Sequence, residues 1–214
     1  MYRLFDTMGI RTLRMPRKVV PIIAGEIYHV FNRGVDKRNV FLDTDDYLRF
    51  YQSLHLFNTI EPVINFMTAR SQDVEPREPL VEIHAYSLLP NHFHMLIKSC
   101  SDTGLSEFMK RVVGGYTSYF NERYDRSGVL FQGKYKRVLV DSDEQYQYLF
   151  SYVNENHFVH GIERLNQIVY SSSIHFQKLT QSKLIAIERS YNAHQHQVLA
   201  REIHAKRRLA KSFD

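Results

Sequence analysis

Two histidines stand one residue apart in the stretch PNHFHMLI, residues 90–97. In a β-strand, side chains two apart share a face. His92 and His94 would therefore stand side by side, with Phe93 and Met95 on the other face. Neighbouring imidazoles disfavour each other's protonation, and a bound metal ion relieves that conflict. Two half-buried histidines, each bonded to a local partner, would leave the same pattern. A third ligand and a reaction are needed to choose between the two.

The stretch YLFSYVNEN, residues 148–156, spaces Tyr148, Tyr152 and Asn156 at intervals of four. Such residues lie on one stripe of a helix. A phenol one turn from a carboxamide is ordinary by itself. Set against a sheet face bearing His92 and His94, it gains a meaning. Two imidazoles and the Asn156 carbonyl oxygen make three neutral ligands, with positions left for water or substrate. Mg2+ or Mn2+ accepts oxygen ligands, binds such a set weakly, and is held better once a substrate phosphate joins. Tyr152 then becomes a nucleophile towards phosphorus, with a phosphotyrosine as the product.

Charge points to a polyanion. The chain has 214 residues and a net charge of +5. Residues 110–137 hold seven Lys or Arg against two acidic residues, and both ends are basic as well. Tyr116, Tyr119, Phe120 and Tyr124 are interleaved with these cations. Aromatic rings for stacking bases and cations for phosphates suit single-stranded nucleic acid. Arg123, Arg126, Lys134, Lys136 and Arg137 are the first candidates for DNA contact. The single cysteine, Cys100, excludes an internal disulfide framework and a cysteine-built zinc knuckle. No apolar run of membrane-spanning length occurs, and the first twenty residues lack a clean apolar signal core. A cytoplasmic setting without membrane contact is the expectation.

The elements that must position these residues follow from periodicity and turn signals. Residues 25–34 predict a strand, and 43–58 a helix opened by Asp/Thr capping candidates. The polar stretch 69–79, with two prolines, predicts a loop. Strands at 80–89 and 93–99 are joined by Pro90-Asn91 as a tight hairpin. A long helix opens at Thr103 or Ser106 and runs to about Tyr124, with an interruption in composition at Gly114-Gly115. A fourth strand covers 134–141. A helix over 142–156 starts with Ser142 followed three residues later by Gln145, a capping pattern. The order β-α-β-β-α-β plus a further helix predicts an α+β, ferredoxin-like antiparallel sheet, with the additional helix carrying Tyr152. The divisions are a basic extension over 1–22, a domain over 23–165, and a basic extension over 166–214 that is helical at about 181–211.

The motifs together resemble a known family, the HUH-type transposases with a single catalytic tyrosine, and most nearly the REP-associated tyrosine transposases. PNHFHMLI matches the histidine–hydrophobic–histidine motif and YVNEN the tyrosine–x–x–x–asparagine element. YHVFNRGVDKRNVF at the first strand and YTSYFNERYDRSGVLFQGKYK before the fourth agree as well. The likeness spans about residues 24–165. It implies His92, His94 and Asn156 as metal ligands, Tyr152 as nucleophile, and Mg2+ or Mn2+ as cofactor. It further implies cleavage and rejoining of single-stranded DNA near palindromic hairpins, through a 5′-phosphotyrosine and a free 3′-hydroxyl. Relatives usually continue from the asparagine into proline, whereas here His157 follows Asn156. The loss of proline lets the helix run on and adds an imidazole near the site.

Two rivals stay open at this level. A two-tyrosine nuclease of the replication-initiator kind would alternate Tyr148 and Tyr152. A non-catalytic hairpin-binding domain would keep the fold with a vestigial metal site. The resemblance leaves the oligomeric state open between a monomer and a homodimer that shares active sites.

Overall fold

A computed structural model of the chain describes residues 21–71, 78–156 and 170–173. Strand β1 (Ile27–Arg33) is followed by a 3-10 turn at Val35–Lys37, helix α1 (Thr44–Leu56) and the short helix α2 (Phe66–Ser71). The hairpin β2 (Val81–Leu89) and β3 (His92–Ser99) comes next, then α3 (Gly104–Arg123), β4 (Lys136–Leu139), α4 (Asp143–Asn154) and β5 (Tyr170–Ser171). The strands form one antiparallel sheet in the order β4-β1-β3-β2-β5. The first four keep the ferredoxin-like arrangement predicted from the element order, and β5 extends it beyond β2.

Alternation decides which face each residue serves. Tyr28 and Val30 of β1 and Phe93, Met95 and Ile97 of β3 are buried against Phe50 and Leu54 of α1 and Phe108, Val112 and Tyr116 of α3. Full burial of each such side chain contributes roughly 1.5–3 kcal/mol. The opposite face is covered by α4, where Leu149, Phe150, Tyr152 and Val153 pack with Ala85, Leu96 and Val140. The two helical layers therefore sandwich the sheet, and among the described residues α4 is the helix that meets the face carrying His92 and His94.

Local chemistry explains the helix ends. Asp43 caps α1 by accepting from the Asp46 backbone N–H. Ser142 caps α4 by accepting from the Gln145 N–H, while the Gln145 Oε1 accepts from the Asp141 N–H at 2.8 Å. The capping pattern thus closes one residue further back than the usual capping box. The long helix expected across the compositional break at Gly114-Gly115 forms, and α3 is continuous through both. A Cβ on Gly115 would lie 3.0 Å from the Phe57 ring, so the glycine admits close approach of α3 to the end of α1.

Two elements go beyond expectation. Residues 69–71, placed in a loop by composition, finish α2, a helix of six residues too short to show a periodic apolar face. The two-residue β5 owes its place to side-chain bonds rather than propensity. The Ser172 hydroxyl donates to the Asn154 Oδ1 and accepts from the Tyr86 backbone N–H at 3.0 Å. Asn154 in turn donates to the Phe150 carbonyl at 2.9 Å. This buried knot ties the C-terminal end of α4 to β2. Ser172→Ala strands the Asn154 carbonyl oxygen and should cost about 1–3 kcal/mol, checked by urea denaturation. Residues 1–20 of the basic N-terminal extension, His157, the helix expected at about 181–211, and the rest of 166–214 apart from 170–173 lie outside the described residues. Among the described residues no helix is long and apolar enough to cross a membrane.

Candidate active site

Register brings three strand residues of β1 beside the histidines of β3. Arg33 lies opposite His92, Phe31 opposite His94, and His29 opposite Leu96. Paired residues share a face, so His29, Phe31 and Arg33 join His92 and His94 beneath α4. The His92 and His94 rings stand 5.2 Å apart between centroids, nearly perpendicular at 85°. The Tyr152 ring meets His94 edge-on, with centroids 5.5 Å apart, and His29 at 6.1 Å. Tyr148 stacks parallel to Tyr152 at 6.3 Å, one helical turn earlier. Tyr152 from α4 and Phe31 from β1 both make ring contacts to His29 and His94.

The hydrogen bonds of the two histidines set which nitrogen each can offer. Asn91 donates through its Nδ2 to the Lys37 carbonyl at 3.1 Å, which turns its Oδ1 towards His92. That oxygen lies 2.5 Å from the His92 Nδ1 and only accepts, so Nδ1 carries the proton and Nε2 the lone pair. The His94 Nδ1 is 2.9 Å from the His29 Nε2, with the two rings stacked. Burial pulls the His29 pKa down from 6.5 to about 4, so its ring is neutral at pH 7 and able to accept. That bond engages the His94 Nδ1, so in the tautomer whose Nδ1–H donates to His29 a metal would be taken by His94 on Nε2. Partners of this kind orient ligating histidines and raise their basicity.

Asn156 supplies the test of fit. It is fully buried, and among the described residues neither its Oδ1 nor its Nδ2 has a hydrogen-bond partner. A buried carboxamide left unsatisfied costs about 1–3 kcal/mol, and such groups mark places where a ligand or ion belongs. Among the described residues no group of three or more His, Cys, Asp or Glu could hold a metal ion. A cation here would need the oxygen of Asn156 beside the two imidazoles. By their chemistry, two imidazole nitrogens and a carboxamide oxygen would hold Mg2+ or Mn2+ weakly.

Of the five cations singled out by composition, the sheet brings one to this face. Lys136 pairs opposite Phe31 and shares its face, whereas Arg137 pairs opposite Val30 and shares the α1/α3 face. Lys134 is exposed in the loop before β4. Arg123 lies in the helical layer across the sheet. It bonds to Asp43 at 2.7 Å, Asp46 at 3.2 Å and Asp45 at 3.4 Å, and donates to the Tyr119 hydroxyl at 2.6 Å. Its structural place is an anchor between the end of α3 and the start of α1. Arg126 sits beside it over the Phe120 ring. A charge count along the chain does not distinguish a cation that meets carboxylates from one that meets phosphate.

His29, Asn91 and Arg33 were not singled out by spacing. His29 and Arg33 are the third and last residues of β1, and only pairing with β3 reveals their face. His29 also carries a pH dependence. The unfolded chain takes up a proton near pH 6.5 that the folded chain refuses until about pH 4. Stability from this group is complete above pH 6.5 and is lost as pH falls to 4, about 3 kcal/mol in all. In chelator, urea midpoints at pH 7.5 and 4.5 should fall further for the wild type than for His29→Phe. His84, also lowered by burial, acts equally in both proteins and cancels in the difference.

A ferredoxin-like sheet with paired histidines on one face, roofed by a tyrosine-bearing helix, is the class of structure defined here. Residues 76–156 match the family model described as Transposase IS200 like, a stretch that contains Asn91, His92, His94, Tyr152 and Asn156. The resemblance carried by the motifs is met by that match. The fold is similar to that of a REP-associated tyrosine transposase solved bound to a REP hairpin, with a TM-score of 0.51 and 14% sequence identity. The similarity covers 84% of this chain and 96% of that one. No curated protein matches the chain significantly.

Proposed function

We propose that the chain is a transposase that cleaves and rejoins single-stranded DNA beside a hairpin, with Tyr152 as nucleophile. The observation that carries this is the Tyr152 ring set against His94, one turn before an unsatisfied, buried Asn156. The family match over 76–156 supports the transposase class. The hairpin bound to the similar structure supports the substrate form.

In this reading the Tyr152 oxygen attacks phosphorus and the bond from phosphorus to the 3′ oxygen breaks. The phosphate stays on tyrosine through its 5′ side, and the 3′ oxygen leaves as a hydroxyl after gaining a proton. The attack reverses when a 3′-hydroxyl returns, so strands are exchanged without net hydrolysis. His92 and His94, through their Nε2 atoms, and Asn156, through Oδ1, would hold Mg2+ or Mn2+. A divalent cation there stabilises the charge that develops on the phosphate oxygens. Asn91 would keep the His92 imidazole in the tautomer that can ligate, and His29 would orient the His94 ring through its Nδ1. Burial under α4 admits a flexible strand and keeps out a stiff duplex.

The test is incubation with a single-stranded hairpin oligonucleotide and Mn2+, followed by a denaturing gel. A protein–DNA adduct should form with the single strand and not with perfect duplex of the same sequence. Binding without any adduct would favour the hairpin-binding reading, and equal cleavage of duplex would remove the assignment.

A further inference from the structure

We propose that the Arg33 guanidinium is a binding site for a backbone phosphodiester of the DNA strand, next to His92. The proposal deepens the single-stranded DNA reading above and rests on it. Arg33 closes β1 directly opposite His92 and shares its face. Lys136 lies on the same face, across β1, opposite Phe31. Both cations lie on the β1/β4 side of the histidines, so a strand seated over the histidines would meet them along that edge.

The backbone around Arg33 is held on every side. Its N–H donates to the Asn32 Oδ1 at 2.9 Å and its carbonyl accepts from the Gln132 N–H at 2.8 Å. Asn32 also donates to the Gly133 carbonyl at 3.1 Å, and the Gly34 N–H donates to the Asn91 carbonyl at 2.9 Å. Gly34 has no room for a Cβ against the Arg38 carbonyl, so the turn after Arg33 is fixed in shape. The end of the side chain contrasts with this. The Arg33 Nε is closed off from solvent and has no hydrogen-bond partner among the described residues. Among the described residues the Arg33 guanidinium makes no ion pair. Other arginines of this protein are satisfied: Arg123 by three aspartates, Arg111 by Glu107 and two backbone carbonyls.

A permanent cation that meets no carboxylate among the described residues calls for an anion from outside them. The ligand must be an anion with paired oxygens, because the guanidinium fork presents parallel donors. Single-stranded DNA on the histidine face offers its phosphodiesters there. Arginine gives such a contact a geometry that lysine cannot copy.

The experiment measures binding of a labelled single-stranded hairpin oligonucleotide to the full chain by fluorescence anisotropy, across salt concentrations. Arg33→Gln should raise Kd roughly tenfold near 0.15 M salt and reduce the slope of log K against log salt by about one. Arg33→Lys should recover the slope but only part of the affinity. Circular dichroism melting should be unchanged in both. Methylphosphonates placed singly along the oligonucleotide should include one that weakens the wild type and has no added effect on Arg33→Gln. Equal Kd and salt slope in wild type and Arg33→Gln would remove the arginine assignment and leave the function standing. Absence of single-stranded DNA binding by the wild type would remove both.

Discussion

Tyr152→Phe should abolish the covalent protein–DNA adduct while leaving fold and hairpin binding in place. The substitution removes one hydroxyl and keeps the ring that packs with Leu96, Val140 and Val153. Its cost in stability should be about 1 kcal/mol or less. No other group replaces the oxygen that attacks phosphorus, so adduct falls to background. Tyr148→Phe, one turn earlier, should retain it. Tyr148 stacks on Tyr152 rather than contributing the ring set against His94 and His29. The measurement is adduct per protein on a denaturing gel with Mn2+. Loss in Tyr148→Phe alone would place the chemistry on the wrong turn of α4. Loss in both would favour alternating tyrosines.

His92→Ala or His94→Ala should lower cleavage by roughly 10³-fold, the several kcal/mol of charge stabilisation expected of a catalytic cation. Hairpin binding should survive, because phosphate contacts elsewhere supply most of the affinity. A chelator should reproduce the loss in the wild type. Mn2+ titration followed by electron paramagnetic resonance should show weaker binding in both variants, a readout independent of turnover. Asn156→Ala should separate function from stability. Its polar atoms are buried without partners, so removing them relieves a penalty that offsets the small cavity created. The variant should melt close to the wild type and cut less, between a histidine variant and wild type. A double histidine variant that still cleaved would overturn the metal assignment. A large fall in the melting point of Asn156→Ala would show its carboxamide to be structural.

Local physics made much of this protein legible in one dimension. The alternation around His92 and His94 assigns them a common strand face, and spacing by four assigns Tyr148 and Tyr152 a common stripe of α4. Asn156, expected on the same stripe, lies beyond the end of α4 at Asn154. Asp43 and Ser142 cap the helices they were expected to cap, because a cap involves residues only three apart. The Pro90-Asn91 turn and the element order lead to the sheet order β4-β1-β3-β2. These features depend on neighbours in sequence or on general rules of chain connection, and both can be read from residue types.

Other features depend on which strand lies beside which, and in what register. His29 meets His94 across a separation of 65 residues, a bond set by the pairing of β1 with β3. The same register turns Arg33 towards His92, and the β1–β4 register sends Lys136 and Arg137 to opposite faces. Arg123 carries the same charge as Arg33, but tertiary packing surrounds it with Asp43, Asp45 and Asp46. The Ser172–Asn154 knot joins segments whose polar residues look like ordinary loop composition. Periodicity specifies the face a residue takes on its own element. A partner from a distant element enters only when the chain closes on itself, because hydrogen bonding and charge act through space over a few ångströms and are blind to distance along the chain.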